Sequence, residues 1–178
     1  EVLRRMRRAV SRAETEQLLQ RLRDRIDRLV LRTTMIAGFP GETDAQFQEL
    51  LHFVRQQRFP RLGVFAFSPE PGTPAAELDG QVPARIGRRR RDLLLKTQQQ
   101  IAFDWNAAQV GQRLDVMIDQ KISEQPNAFV GRTWADAPEI DGVVYVTGDN
   151  LAPGHLVSCE IVATRAYDLI GVALEAAR

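Results

Sequence analysis

At 178 residues, with 44% hydrophobic side chains and a formal net charge of +1, the chain can bury one ordinary core or two small ones and is expected to be globular. No apolar run reaches the length of a membrane-spanning helix, and the arginine-rich start lacks the apolar stretch of a signal peptide, so the cytosol is the expected compartment. Cys159 is the only cysteine, which excludes an internal disulfide and a thiolate-ligated metal cluster held by this chain alone.

The first residue is Glu1 and not methionine, and a helical pattern begins at once, as expected of a piece of a longer protein. Leu18, Leu19, Leu22 and Ile26 predict an amphipathic helix over residues 14–27 with an arginine-rich polar face. Residues 29–37, LVLRTTMIA, read as a strand stopped by GFPGE at 38–42. Thr43 with Gln46 fits a capping box, and Phe47, Leu50, Leu51 and Val54 repeat at helical spacing behind it. A second strand, RLGVFAF at 61–67, ends at SPEPGTP, residues 68–74, whose prolines and glycine forbid continuation. Strand, helix and strand within so few residues predict a parallel crossover unit. After Pro83 a long helix runs to about Asn106, carrying the basic run 88–91 and apolar Leu93, Leu94, Ile101 and Trp105.

From Val110 the pattern changes to short strands: the alternation around Leu114, Val116 and Ile118, then 128–135, 143–147, 155–163 and 166–174. Five strands joined by Gly, Asn and Pro turns predict a small closed antiparallel β-barrel of OB-like size, so the expected domains are 1–109 (α/β) and 110–178 (β). Charge divides the same way. Residues 1–109 carry 19 Lys+Arg against 13 Asp+Glu, and residues 110–178 carry 5 against 10. Such a sign change suggests two modules with different partners.

The stretch RTTMIAGFPGET, residues 32–43, is the most informative. A strand closing on Ile36, then a tight turn of Gly38, Phe39, Pro40 and Gly41, then Glu42 before a helix, would let backbone approach a flat ligand at the strand's carboxyl end, where α/β folds bind ligands. An ordinary βα turn with glycines for geometry has the same pattern. Neither a dinucleotide fingerprint nor a P-loop is present. In FSPEPGTPA, residues 67–75, Ser68 and Thr73 either bond a ligand or cap their own turn.

Taken together, GFPGET after one strand and FSPEPGTPA after the next, behind MRR at 6–8 and ahead of a long helix and a small β module, resemble the methylthiotransferases of the radical S-adenosylmethionine superfamily. The resemblance implies the last third of a TIM-like radical-SAM barrel followed by a whole TRAM domain. It also implies S-adenosyl-L-methionine as cofactor and two [4Fe-4S] clusters in the full-length protein, held by cysteines that this chain does not contain. On that reading Thr33, Thr34, Ile36, Gly38, Phe39, Pro40, Gly41, Glu42, Phe67 and Ser68 form the cofactor wall. No residue here is an expected catalytic acid, base or metal ligand, and His52 and His155 stand isolated.

Of the family's two main branches, GRTWADAPEIDGVVYV at 131–146 is similar to the one that modifies an aspartate of small-subunit ribosomal protein S-twelve. The transfer-RNA branch follows its G-R-T with more polar residues and usually has an acidic residue near the position of Thr34. The net negative charge of 110–178 agrees, since it suits a basic ribosomal protein better than phosphate. The implied partners are S-twelve, within the ribosomal subunit, and a sulfur donor, with no membrane. Arg132, Asp136, Glu139 and Asp141 are the expected substrate contacts, on a loop stiffened by Pro138; the alternatives are a solvated loop with turn-forming Asp and Pro for the acids and barrel structure for Arg132. A transfer-RNA enzyme and a non-enzymatic binding module are the alternatives. Arg88–Arg91 is either a solvated helix face or a contact with ribosomal RNA, and the alternation around Cys159 predicts its burial.

Overall fold

A computed structural model of the chain describes residues 1–174; the last four residues of the expected β module, 175–178, lie outside the described residues. Two compact units are present, Glu1–Ile101 and a second from Ala102 onward.

The first unit runs α1 (Val2–Arg5), α2 (Arg12–Arg25), β1 (Arg32–Ala37), α3 (Asp44–Gln57), β2 (Arg61–Ala66) and most of α4 (Ala84–Ala107). Helix α2 starts two residues before the apolar stripe suggests because Ser11 caps it. The Ser11 hydroxyl accepts the Glu14 N–H at 3.2 Å, and the Glu14 carboxylate accepts the Ser11 N–H at 2.7 Å. Helix α3 carries the expected box, with Gln46 N–H to Thr43 Oγ1 at 3.2 Å and Thr43 N–H to Gln46 Oε1 at 2.9 Å. It stops at Arg58, in the left-handed region at φ 46°.

Strands β1 and β2 are parallel, in register from Arg32↔Arg61 to Ala37↔Ala66. The expected strand over 29–37 is shorter in the structure. One rung before Arg32 the partner would be Pro60, which has no N–H to donate, so the ladder cannot reach residues 29–31. One sheet face packs under α3 and α4 through Ala37, Phe47, Leu51, Val54, Val64, Leu94 and Ile101. The other face carries Thr34, Ile36, Gly63 and Phe65.

The second unit contains β3 (Arg113–Lys121), β4 (Ala128–Arg132), β5 (Val144–Thr147), β6 (Leu156–Arg165) and β7 (Asp168–Ala173), closed in the order β3-β4-β5-β7-β6. The expected antiparallel barrel is mixed, because β5 and β7 pair in parallel from Val144↔Leu169 to Thr147↔Val172. Parity forces this. A ring of five strands cannot alternate direction all the way round, so at least one neighbouring pair must run the same way. The expected strand over 166–174 starts later, at Asp168, since Ala166 takes φ 54° in the two-residue turn that pairs Arg165 with Asp168. The interior is Leu114, Val116, Ile118, Phe129, Val144, Val146, Val157, Cys159, Ile161 and Leu169, the inward half of each alternation. The end of α4 belongs to this unit. Asn106 Nδ2 donates to Ala166 O at 3.2 Å, and Phe103 meets Tyr167 edge-on at 5.1 Å.

Candidate functional site

The turn that ends β1 is built around two left-handed glycines, Gly38 at φ 78° and Gly41 at φ 83°. Glu42 folds back beneath it. Its Oε1 accepts the Gly38 N–H at 2.9 Å and an Arg90 Nη1–H at 2.7 Å. Arg90, the third arginine of the run 88–91, also donates to Glu42 O at 3.0 Å and to Asp44 Oδ1 at 2.6 Å. Its guanidinium lies 5.4 Å from the centre of the Phe47 ring. Both partners are inside: the side chain of Glu42 is 3% exposed and that of Arg90 8%. From the other side Arg5 covers Gly41 and donates to Asp79 O at 2.8 Å and Asp79 Oδ1 at 2.7 Å, while Gly41 N–H donates to Gly80 O at 2.8 Å.

The turn is therefore held from both sides, and its glycines answer to packing. A Cβ on Gly38 would sit 2.7 Å from Gly87 Cα, so α4 claims the space that the sequence suggested was kept for a ligand. Exposed apolar surface lies elsewhere, on the open face of the sheet. There Ile36 is 41% and Phe65 63% exposed, adjacent across β1 and β2, with Thr34 one rung below. Flat apolar surface beside a hydroxyl suits an aromatic ring system that stacks and hydrogen-bonds at its edge.

Of the expected cofactor residues, Thr33, Thr34, Ile36, Phe39 and Glu42 line one open groove of ≈ 1290 Å³ in the first unit. Gly38, Pro40, Gly41, Phe67 and Ser68 do not line it. Phe39 is buried with Phe67 edge-on at 5.1 Å, and Ser68 is exposed. Thr73 Oγ1 donates to Glu70 O at 2.8 Å, closing its own turn. Sequence reasoning missed Phe65, although the period-two pattern of RLGVFAF already set it opposite to buried Val64. Among the described residues no group of three or more His, Cys, Asp or Glu is arranged to hold a metal ion.

The second candidate surface is the loop after β4. Arg132 pairs with Asp119 across β3 and β4. Asp136 Oδ2 accepts the Thr133 hydroxyl at 2.6 Å and the Thr133 N–H at 3.3 Å, and the same hydroxyl accepts the Ala135 N–H at 3.1 Å. Asp141 Oδ2 accepts the Ala137 N–H at 2.7 Å. Two of the three acids thus fold the loop they stand on. What the loop displays outward is Glu139, at φ 62°, with Ile140 73% and Trp134 46% exposed. Cys159, inside the barrel, has its thiol pushed up to about 11 by burial and, less, by Asp115.

The family model described as the TRAM domain matches residues 110–174, the span of this barrel. Across 96% of its length the chain is 45% identical to a protein of Anaeromyxobacter sp. named ribosomal protein uS12 methylthiotransferase RimO, of which it covers 36%. Proteins of the same name from Nitratidesulfovibrio vulgaris and Thermosynechococcus vestitus are 44% and 46% identical over 97% of the chain, which covers 40% and 38% of them. The chain therefore spans well under half the length of these relatives. It is related to the RimO proteins along nearly all of its own sequence, and its closed β-barrel is a TRAM domain.

Proposed function

We propose that the chain is part of a radical S-adenosylmethionine methylthiotransferase that adds a methylthio group to the β-carbon of an aspartate in ribosomal protein uS12. The observation that carries this reading is the likeness to proteins of that name at 44–46% identity over 96–97% of the chain. The fold is compatible. Among the described residues β1 and β2 pair only with each other, and such a parallel pair under two helices is what an arc of a larger barrel would be.

Residues 1–109 would then form the wall of the cofactor site. Ile36 and Phe65 offer surface for the adenine ring and Thr34 a hydroxyl, while the Glu42–Arg90 brace holds Gly38, Pro40 and Gly41 in place at the strand end. Bound there, adenosylmethionine would supply the radical that takes hydrogen from the aspartate β-carbon. The two [4Fe-4S] clusters find no ligand set among the described residues, so their cysteines and the sulfur-donor site would lie outside this chain, and the chain alone would be inactive. Residues 110–178 would dock uS12, in the cytoplasm and within the ribosomal subunit, with Arg132, Asp136, Glu139 and Asp141 at the contact. Asp136 and Asp141 would act by shaping the loop, and Glu139 would face the partner.

The test is to express the complete reading frame that contains this chain together with uS12 and to map peptides of uS12 by mass spectrometry. A methylthio group in place of one hydrogen on a single aspartate is expected. Modification of transfer-RNA adenosine with uS12 untouched would overturn the proposal.

A further inference from the structure

Four cations stand on the solvent face of α4, namely Arg85, Arg88, Arg89 and Lys96, all exposed. Among the described residues no carboxylate pairs with any of them. The one acid on this face, Asp92, is already engaged by Arg91, at 2.9 Å through Nε and 2.7 Å through Nη2. The third arginine of the run, Arg90, points the other way into the Glu42 brace. So the basic run divides into one structural residue, one neutralised residue and an outward row of unneutralised charge.

Arg85 also stands in the first turn of α4, with Arg88 and Arg89 in the next. Unpaired N–H groups and the macrodipole make a helix N-terminus positive, which favours acids there and disfavours cations. Helices α2 and α3 each carry an acid in the first turn, Glu14 and Asp44, and arginine in the last, although α2 also opens on Arg12. Helix α4 opens with no acid in its first turn and has no base in its last. With no acid in that turn to offset it, Arg85 and the helix N-terminus would attract an external anion together.

We infer that the solvent face of α4 is a docking surface for the phosphate backbone of RNA. Leu94 and Ile101 of α4 are committed to the core, and the exposed Leu93 and Leu95, 39% and 38% accessible, stand on opposite flanks of the row and do not form one apolar face for a lipid surface. Between Arg89 and Lys96 the row carries Asp92 and no aromatic anchor, unlike the centre of a protein–protein interface. From Arg85 to Lys96 the cations span roughly 16 Å of helix, a length over which a nucleic-acid duplex presents several phosphates. Guanidinium forks suit phosphate oxygens in pairs. The inference stands on this surface and does not depend on which substrate the complete enzyme modifies.

The experiment is fluorescence anisotropy of a labelled short RNA duplex with this chain, at salt concentrations from ~50 to ~200 mM. Four phosphate contacts predict a log–log salt slope of about −3.6 and a fall in affinity on the order of 10²-fold across that range. Arg88→Gln/Arg89→Gln should halve the slope, and adding Arg85→Gln and Lys96→Gln should abolish the salt-dependent part, with circular dichroism unchanged because all four side chains are exposed. Lys121→Gln, on the barrel, should leave both slope and affinity as they were. Failure of the unmutated chain to bind the duplex at the lowest salt would overturn the inference, as would equal slopes for the quadruple variant. Tighter binding to polyglutamate or to anionic phosphatidylserine vesicles than to RNA would overturn it too.

Discussion

Replacing Arg90 with methionine keeps an aliphatic stem in the Phe47 pocket and removes only the guanidinium, which isolates the brace under the strand-end turn. The Glu42 carboxylate, 3% exposed, would be left with the Gly38 N–H as its only remaining partner of those seen in the turn. Breaking a buried pair from one side costs about 3–5 kcal/mol. The contact with Asp44 adds little, because that carboxylate is 94% exposed and screened. Loss of the cation over Phe47 adds about 0.5–1 kcal/mol. A total near 4 kcal/mol is a large share of the roughly 5–15 kcal/mol that holds a domain together, and in urea it should lower the midpoint by about 2 M. The chain carries its own reporters for each unit. Trp105 and Trp134 both lie in the second unit, whereas α2, α3 and most of α4 lie in the first. Far-ultraviolet ellipticity at the helical minimum should therefore melt much earlier in Arg90→Met while tryptophan emission keeps its midpoint. Glu42→Gln in the Arg90→Met background should restore part of the loss, since no buried charge is then left alone. A cost under about 1 kcal/mol, or no recovery in the double variant, would show that the pair does not hold the turn.

Gly38→Ala should destabilise the first unit by about 2–4 kcal/mol, from a left-handed alanine plus overpacking against Gly87, whereas Gly72→Ala, at φ 79° with no atom within 4 Å of its Cβ, should cost only about 1 kcal/mol; urea melts followed by ellipticity decide, and equal costs would refute the packing argument. Cys159 should resist iodoacetamide at neutral pH until the chain is unfolded, because the thiol is fully buried and protonated. Its folded pKa is raised from 9.0 to about 11, so the stability it contributes is complete below pH 9 and is lost as pH rises to 11, on the order of 2–3 kcal/mol; Cys159→Val should flatten that part of the pH–stability curve. Glu139→Lys should slow association with uS12 and weaken its salt dependence without altering the barrel melt, while Asp136→Lys should also shift Trp134 emission because the Thr133 bonds are lost; no change in association for Glu139→Lys would remove the loop from the proposed docking surface.

The elements were legible where a local rule acts alone. Thr43 and Gln46 announce α3, and the alternation through Leu114, Val116 and Ile118 announces the barrel interior, because capping and pleat depend only on neighbours in sequence. Boundaries failed where a partner decides them. Residues 29–31 have strand-like composition and no ladder because the rung opposite is Pro60, 29 residues away from Leu31, a fact that no window around the strand contains. The barrel's direction was a global matter of another kind. Five strands were countable from the alternation, and counting them already forbids an all-antiparallel ring, yet which pair runs parallel depends on how the ring closes.

The sites were legible unevenly, for a reason visible in Glu42 and Arg90. Both look available in sequence: a glutamate at a strand end that reads as ligand contact, and an arginine inside a solvent-facing run. Forty-eight residues apart, they bury one another. The pattern at a helix face separates such cases better than the identity of a residue does. On α4 the apolar positions Leu94 and Ile101 fix the inward direction, Arg90 lies one turn before Leu94 and so turns inward, and Arg85, Arg88, Arg89 and Lys96 fall on the opposite side. The same phase assignment applied to β2 separates buried Val64 from exposed Phe65. A polar residue whose phase points inward is expected to have found a partner from elsewhere in the chain, since burial without one costs too much to persist. A charged residue whose phase points outward, against the helix dipole and with no neighbour to neutralise it, has its compensation outside the chain.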